Sequence, residues 1–207
     1  MLPDLFQGRV LFHCHTHYTD GTPTADDYVR WAAARDLDRV VFLEHIRRAP
    51  TYDVGTFAEE VQEAGKRHEV PVVLGFEAKV LPGGALDIAD EHLALAAVIG
   101  VAEHAFPEDI TLWDASLRAA FAFAGSLDVP AVWVHPGLRL QKWHRLDAEQ
   151  ARYASLLDAA QDAGLLVEQN ARYRLVPDDV LPLVRPECLV RGIDAHRIED
   201  VERFFAP

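Results

Sequence analysis

Cysteine is scarce in this chain. Cys14 and Cys188 are the only two, they lie far apart, and neither belongs to a CxxC pair. That excludes a disulfide framework and a cysteine-built zinc module, and two free thiols suit a reducing cytoplasm, the expected location. Positive charge is also short. Twenty lysines and arginines face 33 aspartates and glutamates, a formal net charge of −13. This balance excludes a broad basic surface for duplex nucleic acid. It leaves a small nucleotide possible as substrate, because bound metal ions can outweigh the global charge locally. The longest apolar stretch, Leu93–Ala102, falls far short of the roughly 20 residues a membrane-spanning helix needs. The start, Met1-Leu2-Pro3-Asp4-Leu5, has neither a basic region nor an apolar core, so no signal peptide is expected. Internal repeats, low-complexity tracts and linkers are missing too. A single domain over residues 1–207 is the expectation, and a chain of this length can bury roughly 70% of its unfolded surface without staples.

What is present is an alternation of short β-like runs with amphipathic helical runs. Strands are expected at Val10–His17, Arg39–His45, Pro71–Val80, Leu93–Gly100, Ala131–His135, Leu165–Asn170 and Cys188–His196, with Leu86–Ile88 pairing back as a short extra strand. Between them, Thr24–Arg35 reads as a helix capped by Thr24, and Thr56–His68 as one opening on a Thr56/Glu59 capping box. Thr111–Gly125, Asp147–Ala163 (capped by Asp147) and Glu199–Phe205 are further helices, with a short one at Pro177–Val184. Such alternation implies βαβ units and a mostly parallel sheet, closed into a barrel or open and doubly wound. In either architecture functional groups gather at the carboxyl ends of the strands.

Potential metal ligands stand at those ends. His13 and His15 lie in strand one, and their spacing of two puts them on one face, opposite Cys14, which should be core. Asp20 follows in a turn before Gly21. His45 ends strand two, Glu77 lies late in strand three, His104 follows strand four and His135 ends strand five. Asp194 and His196 end strand seven. Imidazoles mixed with carboxylates suit divalent zinc, manganese or iron. Two inward imidazoles without partners would be costly to desolvate, which favours ligation over a plain buried pair.

These segments resemble the motifs of the PHP (polymerase and histidinol phosphatase) family of metal-dependent phosphoesterases. HCHTHYTDG resembles the first motif, FLEH the second, GFEAK the third and VIGVAEH the fourth; WVHPG and GIDAH resemble the last two. The resemblance runs from His13 to about Val201 and fills every ligand position in order. It implies a distorted (β/α)7 barrel and two to three divalent ions. It divides the ligands into His13, His15, Glu77 and Asp194 for a first metal, a bridging Glu77 with His104 and His135 for a second, and Asp20, His45 and His196 for a third. It further implies phosphoester hydrolysis by a metal-activated water, with His13, His15, Glu77 and Asp194 around it. Three features depart from the family pattern. Glu44 replaces an Asp before His45, Ile193 replaces a Ser before Asp194, and the segment before His104 is one residue longer. His17 lies in the first motif but fills no ligand position; at most it walls the pocket.

A phosphate also needs cations from the protein. Arg47, Arg139 and Arg197 each follow a ligand at a strand end, and Lys79 shares a strand face with Glu77, so these four are the substrate-binding candidates. Tyr18, Tyr52, Trp133 and Trp143 could flank a ring, and Asn170 could contact substrate or a ligand. The leading substrate is a small phosphomonoester such as histidinol phosphate or a nucleotide. An exonuclease, a non-catalytic interaction module and a related amidohydrolase are the competitors. The acidic balance, the intact ligand set and the motif order speak against them in turn.

Overall fold

The computed structural model describes residues 2–206. The strands are β1 (Val10–Cys14), β2 (Arg39–Phe42), β3 (Glu44–Ile46), β4 (Val72–Val73), β5 (Gly75–Lys79), β6 (Val98–Ala102), β7 (Ala131–Trp133), β8 (Leu166–Asn170) and β9 (Leu189–Gly192). The helices are α1 (Ala25–Ala33), α2 (Val54–His68), α3 (Asp90–Leu93), α4 (Ile110–Ala124), α5 (Leu138–Lys142), α6 (Gln150–Asp162) and α7 (Ile198–Phe204). Every named strand pair is parallel. β2 and β3 are one strand broken at Leu43, and β4 and β5 one strand broken at Leu74, so nine segments make seven strand positions. At the breaks the ladder changes course, giving a three-stranded patch β1-β2-β4 and a six-stranded run β3-β5-β6-β7-β8-β9. Hydrogen bonds from Ile193 N to Phe12 O (3.1 Å), Ala195 N to His13 O (2.9 Å) and His15 N to Ala195 O (2.9 Å) join the end of β9 to β1 and close the ring. This is the expected distorted α/β barrel. No helix among the described residues is long and apolar enough to cross a membrane.

Side-chain parity explains the two cores. Phe12, Val41, Leu43, Val98, Val132, Val134, Leu166 and Val190 form one buried cluster inside the ring, with Phe6 edge-on to Phe12 at 5.0 Å. The intervening residues, among them Leu11, Val40, Ile99, Val101, Trp133 and Val167, pack outward against the helices. The inward face is apolar in the first half of each strand. Read two residues further along the same face, it becomes His45 after Leu43, Glu168 after Leu166, and Glu77 after Gly75. One alternating pattern thus supplies a packed core below and a polar site above.

Several boundaries differ from the sequence expectations, each for a local reason. α2 starts at Val54, because the Asp53 side chain accepts the Thr56 N–H at 2.7 Å; there is no Thr56/Glu59 box. α1 does carry the Thr24 cap, with Thr24 and Asp27 bonding each other reciprocally. The fourth main strand begins at Val98, because pairing with β5 sets Gly75 opposite Val98, while Asp90–Leu93 forms the short α3. α6 starts at Gln150, not Asp147, and its cap position Glu149 bonds Arg152 instead. The segment after His135 winds into α5 once Gly137 turns left-handed at φ +83°. Pro177–Val184 keeps only a 3-10 turn at Leu181–Leu183, and the last strand stops at Gly192. The expected return pairing of Leu86 is a single antiparallel bridge to Val80.

Candidate metal centre

The site is built around Glu77, fully buried in the middle of β5. His135 Nε2 lies 2.6 Å and His104 Nε2 2.7 Å from Glu77 Oε1. On the other oxygen, Oε2, His45 Nδ1 approaches to 2.8 Å, His15 Nε2 to 3.4 Å and His13 Nε2 to 3.7 Å. Asp194 Oδ1 stands 3.2 Å from His15 Nε2 and 3.9 Å from His13 Nε2. On the solvent side Asp20 bridges His45 Nε2 (3.4 Å) and His196 Nε2 (3.1 Å). All nine residues expected as ligands therefore meet in one place.

Local backbone distortions aim these side chains. A register shift marks a bulge in β1 between Phe12 and Cys14, and His13 within it sits at φ +73°. The bulge inverts strand parity, so Phe12 faces the barrel interior while Cys14 faces the outer layer. His135 and Asp194 also lie at positive φ, +32° and +55°. Such left-handed residues cost about 1–3 kcal/mol each and persist where surrounding bonds enforce them, which is a mark of functional sites.

The donor atoms fit divalent cations. Within the protein, the buried His13 Nε2, both ring nitrogens of His15, His45 Nδ1 and Glu77 Oε2 have no hydrogen-bond partner. Buried polar atoms are almost always paired, and these five converge in one cluster, whereas the unpaired donors on Trp31, Trp133 and Arg139 lie outside it. Three groups have ligand atoms close enough to share an ion: His13 with His15 and Glu77, His45 with Glu77 and His104, and His15 with Asp20, His45 and His196. Mutual charge polarises the cluster further. Burial opposes ionisation of Glu77, yet His104, His45 and His135 hold its carboxyl well below the usual range. Burial likewise opposes the charge on Asp194, yet His15 and His13 keep it ionised. Burial would strip the proton from His45, but Glu77 and Asp20 hold its pKa up to about 10.

Glu44, the departure before His45, has a structural role. Its carboxylate accepts the Thr16 N–H at 2.8 Å and the hydroxyls of Thr16 and Thr19, bracing the turn that carries Asp20. Of the four cationic candidates, Arg47 lines the cleft over the site, a space of about 510 Å³ shared with Tyr18, Tyr52, Tyr173 and His196. The other three do not line it. Arg139 is tied down behind the strand end, bonded to Phe106 O at 2.9 Å and packed over Trp143 at 5.1 Å. Arg197 is exposed at the start of α7, and Lys79 ends β5 outside the lining. Trp133 is core and His17 is exposed, its ring 4.6 Å from that of Tyr18. Sequence reasoning missed Glu168 and Arg172. Glu168 Oε1 lies 2.6 Å from His13 Nδ1, and Asn170 Nδ2 donates to Glu168 Oε2 at 3.0 Å. Arg172 donates to Asp194 O at 3.0 Å and lies 2.8 Å from His196 Nδ1. The signal for Glu168 was its parity with Leu166, which turns a carboxylate into the barrel. Arg172 sits in a loop, where no periodicity points.

A family model described as PHP domain matches residues 12–172. Among solved structures, a histidinol phosphate phosphatase from Lactococcus lactis, crystallised with zinc, L-histidinol and phosphate, superimposes with a TM-score of 0.65 at 13% identity, over 95% of this chain and 92% of that one. A two-domain protein from Bacteroides vulgatus, containing a predicted PHP-like metal-dependent phosphoesterase, gives 0.53 at 16% identity, over 97% of this chain and 56% of that one. No curated protein matches the sequence.

Proposed function

The chain belongs to the PHP domain family, and on that premise we propose that it is a single-domain metal-dependent phosphatase acting on a small phosphomonoester in the cytoplasm. The observation that carries this reading is the set of unpartnered, buried imidazole and carboxylate atoms around Glu77. Two to three divalent ions, zinc, manganese or iron, would be held by His13, His15, Glu77 and Asp194, by Glu77, His104 and His135, and by Asp20, His45 and His196. Bound there, such ions would acidify a water toward a pKa of about 7 and offset charge on the phosphoryl oxygens.

The rest of the chemistry falls to the chain. The carboxylates of Glu77, Asp194 and Asp20 balance the added positive charge. The barrel interior beneath them is apolar, and the cleft opens the centre to solvent on the side of Asp20, His45 and His196. Among the described residues Arg47 is the only arginine or lysine lining that cleft, which makes it the candidate to hold phosphate oxygens. Tyr18, Tyr52 and Tyr173 offer ring faces to the organic part of the ester. The volume suits a small substrate such as histidinol phosphate, the compound class for which the Lactococcus enzyme is named, or a mononucleotide. One cation in the lining and a net charge of −13 weigh against tracking a nucleic acid strand.

Elemental analysis of the purified protein, paired with turnover of an aryl phosphate, histidinol phosphate, mononucleotides and a short oligonucleotide, tests the proposal. Bound metal with turnover of a small monoester is the expected result. Metal with turnover of the oligonucleotide alone would replace it with an exonuclease. Neither metal nor turnover after reconstitution with zinc, manganese or iron would end it.

A further inference from the structure

Glu168 is fully buried on β8 and takes no place in the ligand set above. Its two oxygens do different things. Oε1 lies 2.6 Å from His13 Nδ1, whereas Oε2 accepts the backbone N–H of His135 at 2.6 Å and the Asn170 amide at 3.0 Å. The two histidines it touches stand at positive φ, +73° and +32°. With Oε1 accepting, the proton of the His13 ring resides on Nδ1. The lone pair then sits on Nε2, the atom that faces Glu77 and Asp194 from 3.7 and 3.9 Å and has no partner of its own. Those gaps are too long for hydrogen bonds and leave room for an ion. Gly192 completes the arrangement on β9, because a Cβ there would overlap Glu168 Oε1.

We propose that Glu168 is a positioning residue that fixes which nitrogen of His13 faces the metal site and, through its other oxygen, holds the left-handed turn that presents His135. The inference rests on the metal reading of the site and adds to it a residue that touches neither ion nor substrate. A carboxylate on the far nitrogen of a ligating imidazole orients the ring and raises its basicity. Here one carboxylate serves a side chain on β1 and a backbone on the turn after β7, coupling two ligands from non-adjacent strands. Asn170 keeps it from rotating, since its amide occupies the second oxygen.

The test compares wild type with Glu168→Gln and Gly192→Ala. A glutamine must turn its amide N–H₂ toward either the His13 ring or the His135 N–H, so one of the two bonds is lost. The alanine methyl displaces Glu168 while leaving it in place chemically. Zinc affinity, measured by competition with a chromophoric chelator, should fall about 10- to 100-fold in both variants, with each variant still folding cooperatively in the metal-free state. Long-range ¹H–¹⁵N spectra of zinc-loaded wild type should put the His13 proton on Nδ1, a readout that needs no variant to fold. Wild-type zinc affinity in Glu168→Gln, or zinc on Nδ1 of His13, overturns the role of Glu168 alone. A wild-type chain that binds no zinc overturns the metal reading and this inference with it.

Discussion

His45 Nδ1 and Glu77 Oε2 lie 2.8 Å apart in the barrel mouth, both buried, in a geometry that is not a hydrogen bond. A lone pair facing a carboxylate at that distance is repulsive unless a proton or a cation stands between or beside them. In the metal-free chain Glu77 and Asp20 favour the protonated imidazole of His45, and a cation ligated by His45 would exchange with one of its two ring protons.

That exchange makes metal binding pH-dependent. Glu77 and Asp20 overcome burial and hold His45 at about 10, above its ordinary 6.5. Zinc or manganese must displace this proton, so binding at neutral pH releases protons and affinity rises with pH. Calorimetry in two buffers of different ionisation heat measures the release; equal heats in both would contradict it.

The same shift sets the stability of the metal-free protein. A pKa raised on folding stabilises fully below the unfolded value and is lost as pH climbs through the folded one. The metal-free midpoint should therefore fall between pH 6.5 and about 10. Loaded protein should not follow that slope, because the ion replaces the proton. Parallel melts with and without chelator, across that window, show whether the two curves diverge.

Arg47→Ala should cost about 10- to 100-fold in kcat/KM, the worth of one charge-assisted hydrogen bond to phosphate. Arg139→Ala and Arg197→Ala should leave KM unchanged. Arg139→Ala should instead destabilise by about 0.5–3 kcal/mol, since it ties Phe106 O and covers Trp143. Steady-state kinetics with urea titrations separate the roles; a wild-type kcat/KM in Arg47→Ala would remove that residue from the site.

Leu43, at the break between β2 and β3, fills the interior above Gly75 and Gly100, where missing side chains leave it room. Leu43→Ala should lose about 2–5 kcal/mol, read from urea unfolding of metal-free protein. A loss under about 1 kcal/mol would mean that the barrel collapses onto the gap.

Much of this was legible in the sequence, and the misses share a cause. The alternation of strands and helices gave the fold class. HxH, Glu77 and the DxH ending, with the resemblance to the PHP motifs, named the nine candidate ligands, and the structure brings these nine together. β6 was read five residues early, because alanine and leucine suit helix and strand alike and only the register against β5 decides. The cap of α2 was misassigned because Asp53 and Thr56 both qualify, and only the bond made distinguishes them. Of the four cations, three do not line the cleft: Arg139 and Arg197 follow their ligands past a strand end, where position in sequence says nothing of direction, and Lys79 is the last residue of β5.

The sequence by itself therefore determined which chemical groups stand at the carboxyl ends of the strands, since parity and composition are local properties. Only the tertiary structure decided how they meet. Closure of β9 onto β1 brings Asp194 to His15. The bulge at His13 turns the first motif inward. Glu168, 155 positions from His13, completes the centre, because contacts between distant strands depend on register and ring closure, which no local pattern encodes.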